Sequence, residues 1–275
     1  MKIAIASGKG GTGKTTVAVA LARVAGAGVQ YLDCDVEEPN GHIFLQPVFH
    51  DQREITLTVP RVLEEQCSYC GQCRDLCRFG AITVFGRTIM VFPDLCHSCG
   101  GCFLVCPEKA FVEEKRLLGV LEKGDAAGID FVHGRLRVGE AMAVPLIGAV
   151  LAEARPGGLV LVDAPPGTSC PFVASVKDAD YVLLVTEATP FGLHDLRIAV
   201  GVLRQLGLSF GVVINRADLG DNRTKTWCRD EEIPIHLEIP FDRKIAAGYA
   251  GGLSVIDSRP ELRRAFIELL AEVRG

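Results

Sequence analysis

The sequence has no surplus of positive charge: 29 Lys and Arg stand against 34 Asp and Glu, a formal net charge of −5. Holding nucleic acid or an anionic membrane through a general basic field requires the opposite balance, so neither is expected as a partner. The chain also lacks an unbroken apolar run of the ~20 residues that a membrane-spanning helix needs. Its longest weakly polar stretch, residues 141–152, is interrupted by Pro145 and Gly148. It opens Met1-Lys2, enters Ile3-Ala4-Ile5-Ala6 and passes straight into a glycine-rich loop. That leaves no room for the longer apolar segment and small-residue cleavage site of a secretory signal, and the expected location is cytoplasmic. The signature of disorder, low hydrophobicity with high net charge, is missing too: 48% of residues are hydrophobic and 23% charged. With 275 residues there is enough chain for one large α/β domain, or for a medium domain carrying a small one.

What the sequence does have is cysteine. Of eleven, eight fall between positions 67 and 106, and the other three are Cys34, Cys170 and Cys228. An odd total, clustered, in a chain expected to be cytoplasmic, points to metal rather than to disulfides. The eight form two runs, Cys67-x₂-Cys70-x₂-Cys73-x₃-Cys77 and Cys96-x₂-Cys99-x₂-Cys102-x₃-Cys106-Pro107, at a constant offset of 29 (96 − 67). The repeat extends past the cysteines: Glu65 matches Asp94, Gly71 matches Gly100, and Ala81-Ile82 matches Ala110-Phe111. The segment is one small domain built of two similar halves.

Three cysteines at this spacing wrap one iron–sulfur cube, and the fourth reaches the other cube. The expected ligand sets for two [4Fe–4S] clusters are therefore Cys67, Cys70, Cys73 and Cys106 for the first, and Cys77, Cys96, Cys99 and Cys102 for the second. Zinc sites pair two C-x₂-C units per metal and do not require three cysteines plus a fourth four residues on, twice over. Gly71, Gly100 and Gly101 allow backbone N–H groups close to the sulfurs. Arg78 stands where such a run often has proline, and His97, inside the second run, is read as solvated.

The flanking sequence alternates compact apolar strands, at 2–6, 29–33, 159–163, 181–186, 211–215 and 235–239, with helical stretches at 14–25, 144–154, 192–206 and 242–250. Near-continuous apolar strands separated by helices predict an α/β fold, a mainly parallel sheet covered on both faces. Residues 1–60 and 113–275 are expected to form this domain, interrupted by a small α+β insertion at 61–112. The last stretch, 260–275, reads as an amphipathic helix docked on the sheet through Leu262, Phe266, Leu269, Leu270 and Val273.

Between the first strand and helix lies Gly8-Lys9-Gly10-Gly11-Thr12-Gly13-Lys14-Thr15, followed by Thr16, which fits G-x-x-x-x-G-K-[ST]. Its glycines let backbone N–H groups turn inward around an anion, and the helix directs its positive end at the same point. Lys14 is expected to reach the β- and γ-phosphates of ATP, and the Thr15 hydroxyl to bind Mg²⁺.

With Lys9, the loop resembles the deviant K-G-G-x-G-K-T loop of the MinD/ParA/nitrogenase iron protein superfamily of P-loop ATPases. The resemblance implies that Lys9 reaches the nucleotide of a second subunit. Asp33-Cys34-Asp35 with Asn40 is similar to that family's first switch, which makes Asp35 the residue that positions the attacking water beside the metal. Asp163-Ala164-Pro165-Pro166-Gly167 is similar to its D-x-P-P-G segment, with Asp163 toward Mg²⁺ and Gly167 near the γ-phosphate. Asn215-Arg216, closing an apolar strand, and the loop Ile239-Pro240-Phe241-Asp242 match its positions on the two sides of the base. The cysteine segment resembles bacterial ferredoxins, and the combination resembles the MinD-type ATPases that carry a ferredoxin insert.

The implied function is Mg-dependent ATP hydrolysis in a nucleotide-bound homodimer, or a heterodimer with a paralogue, coupled to a redox partner or an iron–sulfur client protein. The alternatives are a ferredoxin-type carrier on an idle ATPase scaffold and a positioning ATPase whose clusters are structural. Cys170, seven residues past Asp163, corresponds to a cluster-bridging cysteine of the nitrogenase iron protein, here without a second partner cysteine. The paired C-x-x-C near the C-terminus of Mrp-type carriers is absent.

Overall fold

A computed structural model describes residues 1–275. The elements run β1 (Lys2–Ala6), α1 (Lys14–Ala25), β2 (Gln30–Asp33), α2 (Gly41–Leu45), β3 (Val48–Val62), α3 (Gln72–Leu76), β4 (Ile82–Phe85), β5 (Thr88–Val91) and α4 (Gly101–Val105). They continue β6 (Phe111–Ala126), β7 (Ile129–Leu136), α5 (Val144–Leu151), β8 (Val160–Asp163), α6 (Cys170–Val176), β9 (Tyr181–Glu187) and α7 (Pro190–Leu206). The chain ends with β10 (Phe210–Asn215), α8 (Arg223–Asp230), β11 (Ile235–Ile239), α9 (Arg243–Ala250), α10 (Val255–Ser258) and α11 (Leu262–Arg274).

Two compact units result. The first comprises Met1–Arg53, Leu121–Arg135 and Ala143–Gly275, and the second Glu54–Val120 with Leu136–Met142. The cysteine-bearing unit is thus broader than the expected 61–112 and takes in a separate segment after β7. The physical reason lies in β3 and β6. Each is a single long strand of 15 or 16 residues, and each contributes residues to both units. A strand continues for as long as its backbone finds hydrogen-bond partners, whatever the cysteine pattern beside it.

The sheet order is β11-β10-β9-β1-β8-β2-β7-β6-β3, with parallel pairing throughout from β11 to β7. All four residues of β2 and of β8 are buried, so both faces of the sheet centre are covered. Tight turning at Ala127-Gly128, both with positive φ (53° and 86°), returns the chain from β6 into β7. The strands at 48–62, 111–126 and 129–136 were not anticipated from sequence. Their mixed polar faces lack the continuous apolar run of the central strands.

Small side chains let α1 lie close to the sheet: Val17, Ala18, Val19, Ala20, Leu21 and Ala22 are all buried. α11 packs in the same core, with Phe266, Leu269, Leu270 and Val273 buried as the amphipathic pattern anticipates. No helix is long and apolar enough to cross a membrane.

In the second unit the 29-residue repeat is preserved in backbone conformation. Left-handed φ values recur at Tyr69 and Ser98 (56° and 55°), at Gly71 and Gly100 (80° and 74°), and at Gly80 and Lys109 (65° and 51°). The single-turn helices Glu64–Gln66 and Pro93–Leu95, and then α3 and α4, keep the same offset. Cys73, Ile82, Ile89 and Phe111 form the small core.

Truncating Phe266, wholly buried, to Ala is expected to cost about 3–5 kcal/mol of unfolding free energy in a denaturant titration. The exposed Glu268→Ala on the same helix is expected to stay within about 0.5 kcal/mol.

Candidate functional site

The parallel register decides which side chains meet. β1 runs between β8 and β9, with Ile5 opposite Asp163, and β2 pairs with β8 so that Asp33 lies opposite Asp163. The loop leaving β1 therefore emerges over two carboxylates at the carboxyl edge of the sheet, where open α/β sheets hold ligands. Gly13 enters α1 in a left-handed conformation (φ 97°), and a Cβ there would come within 2.4 Å of Asn215 Nδ2. Glycine is required for both reasons.

The recess above this edge offers about 1260 Å³ of open space. Gly10, Gly11, Gly13, Lys14, Thr15 and Thr16 form its floor, and Asp35, Asn40, Pro166, Asn215, Arg216 and Pro240 continue the wall. Phe241, from the loop expected on the far side of the base, closes one side with Ile245, Tyr249 and Val255, three apolar residues that sequence reasoning missed. They come from short helices and loops whose apolar residues resemble ordinary core positions until the fold turns them to the recess. Of the expected nucleotide residues, Gly8, Lys9, Thr12 and Gly167 do not line it. The Gly167 N–H donates to Ser7 O at 3.1 Å instead.

Lys14 is almost fully buried, with Nζ 3.8 Å from Asp35 Oδ2. Burial, reinforced by Asp163, Glu37 and Glu38 and opposed by Lys14, pushes the Asp35 carboxyl up to about 6. Asp33 and Asp163 are wholly buried, and burial raises both. Asp33 accepts N–H donors from Asp35 (3.2 Å) and Gly41 (3.0 Å). The Tyr31 hydroxyl donates to Asp163 Oδ2 at 2.9 Å, while Asp163 Oδ1 is buried without a partner. Lys14 and the Tyr31 hydroxyl pull Asp163 back toward its charged form.

Lys9 does not enter the recess. Its Nζ lies 3.2 Å from Glu187 Oε2, and the other oxygen of Glu187 accepts Arg216 Nη1 at 2.5 Å. Glu187, at the end of β9, went unremarked in the sequence, although an acid closing a buried parallel strand beside a phosphate loop is the available signal. The Asn215 amide is engaged within the chain: Nδ2 donates to Thr12 O (2.9 Å) and Oδ1 accepts Arg216 N (3.0 Å). As placed, it clamps the loop.

In the second unit the eight cysteines separate into two recesses. One is edged by Cys67, Cys70, Cys73 and Cys106. The other is edged by Cys77, Cys96, Cys99 and Cys102, with Cys73 also on its wall. Each recess takes three cysteines from one half of the repeat and draws the rest from the other, and Cys73 lies on both. Backbone N–H groups aim at sulfur in both: Tyr69 N to Cys67 Sγ (3.4 Å), Ser98 N to Cys96 Sγ (3.4 Å) and Ala110 N to Cys106 Sγ (3.3 Å). No three His, Cys, Asp or Glu side chains converge on a point that one metal ion could occupy. Burial and the Cys96 sulfur push the Cys102 thiol up to about 11. Phe79 stacks on His97 with centroids 3.7 Å apart. Of the remaining cysteines, Cys34 and Cys228 are buried and Cys170, the first residue of α6, is exposed.

A family model for the CobQ/CobB/MinD/ParA nucleotide binding domain matches residues 3–255. The chain belongs to that family. Among curated relatives, MJ0578 of Methanocaldococcus jannaschii is 29% identical over 278 residues, covering 100% of this chain and 96% of that protein. Ferredoxin-1 of Chlorobaculum tepidum is 30% identical over 57 residues, 18% of this chain and 92% of the ferredoxin. Among solved structures, the septum site-determining protein MinD of Pyrococcus horikoshii, complexed with Mg-ADP, superposes with a TM-score of 0.58 at 21% identity, covering 99% of this chain and 95% of that one. That likeness shows the fold, an α/β P-loop architecture with a mostly parallel sheet.

The Asp35 carboxyl gives a pH prediction for the protein without nucleotide or Mg²⁺. Its folded pKa, about 6, lies above the ordinary value of 3.8, so folding favours the protonated form. The corresponding stability is complete at low pH and is lost as pH rises through about 6. Asp35→Asn is therefore expected to be more stable than the natural protein at pH 8, by on the order of 1–3 kcal/mol, with the difference vanishing near pH 4. Denaturant titrations of both proteins in EDTA across pH 4–8 check this. Comparing the pair at each pH removes the opposite trend of His133 and His42, whose pKa values burial lowers.

Proposed function

We propose that the protein binds and hydrolyses ATP with Mg²⁺, carries two [4Fe–4S] clusters in its second unit, and couples nucleotide-dependent dimerisation to electron transfer or iron–sulfur cluster handling. The observation that carries this reading is the presence, in one chain, of a phosphate cradle over buried carboxylates and two recesses edged between them by the eight cysteines. In sequence the cysteines lie between Asp35 and Asp163, the two acids assigned to the hydrolytic site.

On this reading the loop N–H groups and Lys14 hold the phosphates, and Thr15, Asp163 and Asp35 supply oxygens toward Mg²⁺. The unpartnered Asp163 Oδ1 is the buried acceptor that fits such a cation. Asp35, ionised at neutral pH yet close to its pKa, orients a water and takes its proton as the water oxygen bonds to the γ-phosphorus. The β–γ bridging P–O bond breaks, releasing ADP and phosphate. Phe241, Ile245 and Tyr249 offer an apolar wall to the flat face of the base beside Asn215, Arg216 and Pro240. Lys9 leaves Glu187 to reach nucleotide held by a second copy or a paralogue, where its charge offsets that developing in phosphoryl transfer. Gly167 exchanges Ser7 O for the γ-phosphate.

The cysteine sets Cys67, Cys70, Cys73, Cys106 and Cys77, Cys96, Cys99, Cys102 would hold the clusters, which supply one-electron chemistry when bound. The spacing of three cysteines plus a fourth four residues on, twice over, suits the corners of a cube better than a mononuclear zinc site. The directed N–H groups of Tyr69, Ser98 and Ala110 stabilise charged sulfur. The similarity to ferredoxin-1 along 92% of that protein supports the same assignment.

Anaerobically reconstituted protein is expected to hold about eight irons per chain and to hydrolyse ATP at a rate that differs between oxidised and dithionite-reduced protein. Turnover independent of redox state would refute the coupling, and absence of turnover in both states would refute hydrolysis. Cys106→Ser is expected to lower iron content by about half, although the residue belongs to the second run, and to disturb the cluster of the first. Glu187→Gln is expected to loosen Lys9 and to increase the dimer fraction with ATP in sedimentation velocity, while Lys9→Ala abolishes that dimer. Unchanged dimerisation in both variants would remove the role given to Lys9.

A further inference from the structure

Tyr31 belongs to neither the phosphate-loop motif nor the carboxylate motifs, yet it lies beneath both. It is wholly buried in β2, two residues before Asp33, with its ring stacked on Phe131 at 5.6 Å. A buried phenol needs a partner for its hydroxyl. The partner is Asp163 Oδ2, at 2.9 Å. The second carboxyl oxygen, Oδ1, is buried and accepts nothing from the chain. Gly41, the first residue of α2, packs directly on the same group: a Cβ there would stand 2.7 Å from Tyr31 Cε1, 2.9 Å from its hydroxyl and 3.0 Å from Asp33 Oδ2.

Resting on the reading of Asp163 as a magnesium carboxylate, we propose that Tyr31 is a positioning residue of the Mg²⁺ site. The torsion that turns a carboxyl group about its Cβ–Cγ bond is broad and nearly two-fold, so an aspartate by itself does not aim a particular oxygen. A donor fixed by a buried ring removes that freedom. Tyr31 occupies Oδ2 and leaves Oδ1 as the one oxygen free for the cation. The phenol hydroxyl reaches Asp163 because the sheet places β2 beside β8, and it stays there because Gly41 leaves it the space. A residue that merely filled the core of β2 would need only the ring, and phenylalanine would serve. The distinction between filling and aiming therefore rests on a single oxygen atom.

The test measures binding of a fluorescent ADP analogue to the full chain, once with Mg²⁺ and once with EDTA. Tyr31→Phe is expected to lose about tenfold of the tightening that Mg²⁺ confers and to keep the affinity seen in EDTA, because second-shell partners of metal ligands are commonly worth about 10–100-fold in metal affinity. In an Asp163→Asn background the same substitution is expected to change nothing further. Retention of the whole Mg²⁺ effect, an equal loss in EDTA, or a further loss beyond Asp163→Asn would each overturn the proposal. Natural protein that gains nothing from Mg²⁺ would overturn the assignment of Asp163, and the proposal with it, before any variant is made. If Tyr31→Phe does not fold, Gly41→Ala presses a methyl group on the same hydroxyl. It is expected to reproduce the selective loss, and an equal loss in EDTA would overturn the proposal.

Discussion

Two wholly buried carboxylates stand side by side at the carboxyl ends of β2 and β8, and much of the first unit is arranged around them. Asp33 and Asp163 are register partners and both are fully buried. Neighbouring strands lie about 4.8 Å apart, so like charges there repel strongly in a medium of low polarisability. The fold provides compensation from three directions. The N–H groups of Asp35 and Gly41 point at Asp33, the Tyr31 hydroxyl meets Asp163, and Lys14 enters from the start of α1. Even so, burial keeps both acids above their ordinary range. Incomplete compensation of this kind is what a site awaiting a cation and a polyphosphate requires. A fully satisfied cluster would gain nothing from binding either.

The same balance constrains the backbone. The left-handed Gly13 brings Lys14 to the carboxylates, and its missing Cβ leaves the space in which Asn215 clamps the loop through Thr12. Arg216, next in sequence, shares Glu187 with Lys9. The loop lysine that faces outward in the motif is thereby held within its own chain. Glu187 carries two cations at once, so releasing Lys9 leaves it still paired with Arg216. On the proposed reading, that lowers the cost of the exchange in which Lys9 leaves for another acceptor.

The second unit follows a different rule. Its core holds few large apolar side chains, and its repeat survives in dihedral angles as much as in side chains. Tyr69 and Ser98 differ in size and aromatic character, yet both adopt left-handed φ and both donate their N–H to the first cysteine of their run. A non-glycine residue in that region costs of order 1 kcal/mol, and it is retained here twice at the position that directs an N–H at sulfur. Such a unit gains little from hydrophobic burial alone. On the proposed reading the metal–sulfur bonds supply the missing cohesion, as they do in other small metal-bearing domains.

Sequence alone determined the alternation of strands and helices, the phosphate loop, the acids that end β2 and β8, and the two cysteine runs at a constant offset. Each of these is local: a spacing, a periodicity or a strand end, expressed over a few residues. Tertiary structure alone decided that Tyr31 reaches Asp163, that Glu187 holds Lys9, that Gly167 rests on Ser7, and that Ile245, Tyr249 and Val255 face the recess. It also decided the extent of the second unit, because β3 and β6 run on beyond the cysteine repeat. These contacts join residues separated by up to 178 positions (187 − 9), and they depend on strand order and register. A tyrosine in a buried strand looks like core until the neighbouring strand is known, because the energy that orients its hydroxyl belongs to a partner that the local sequence does not contain.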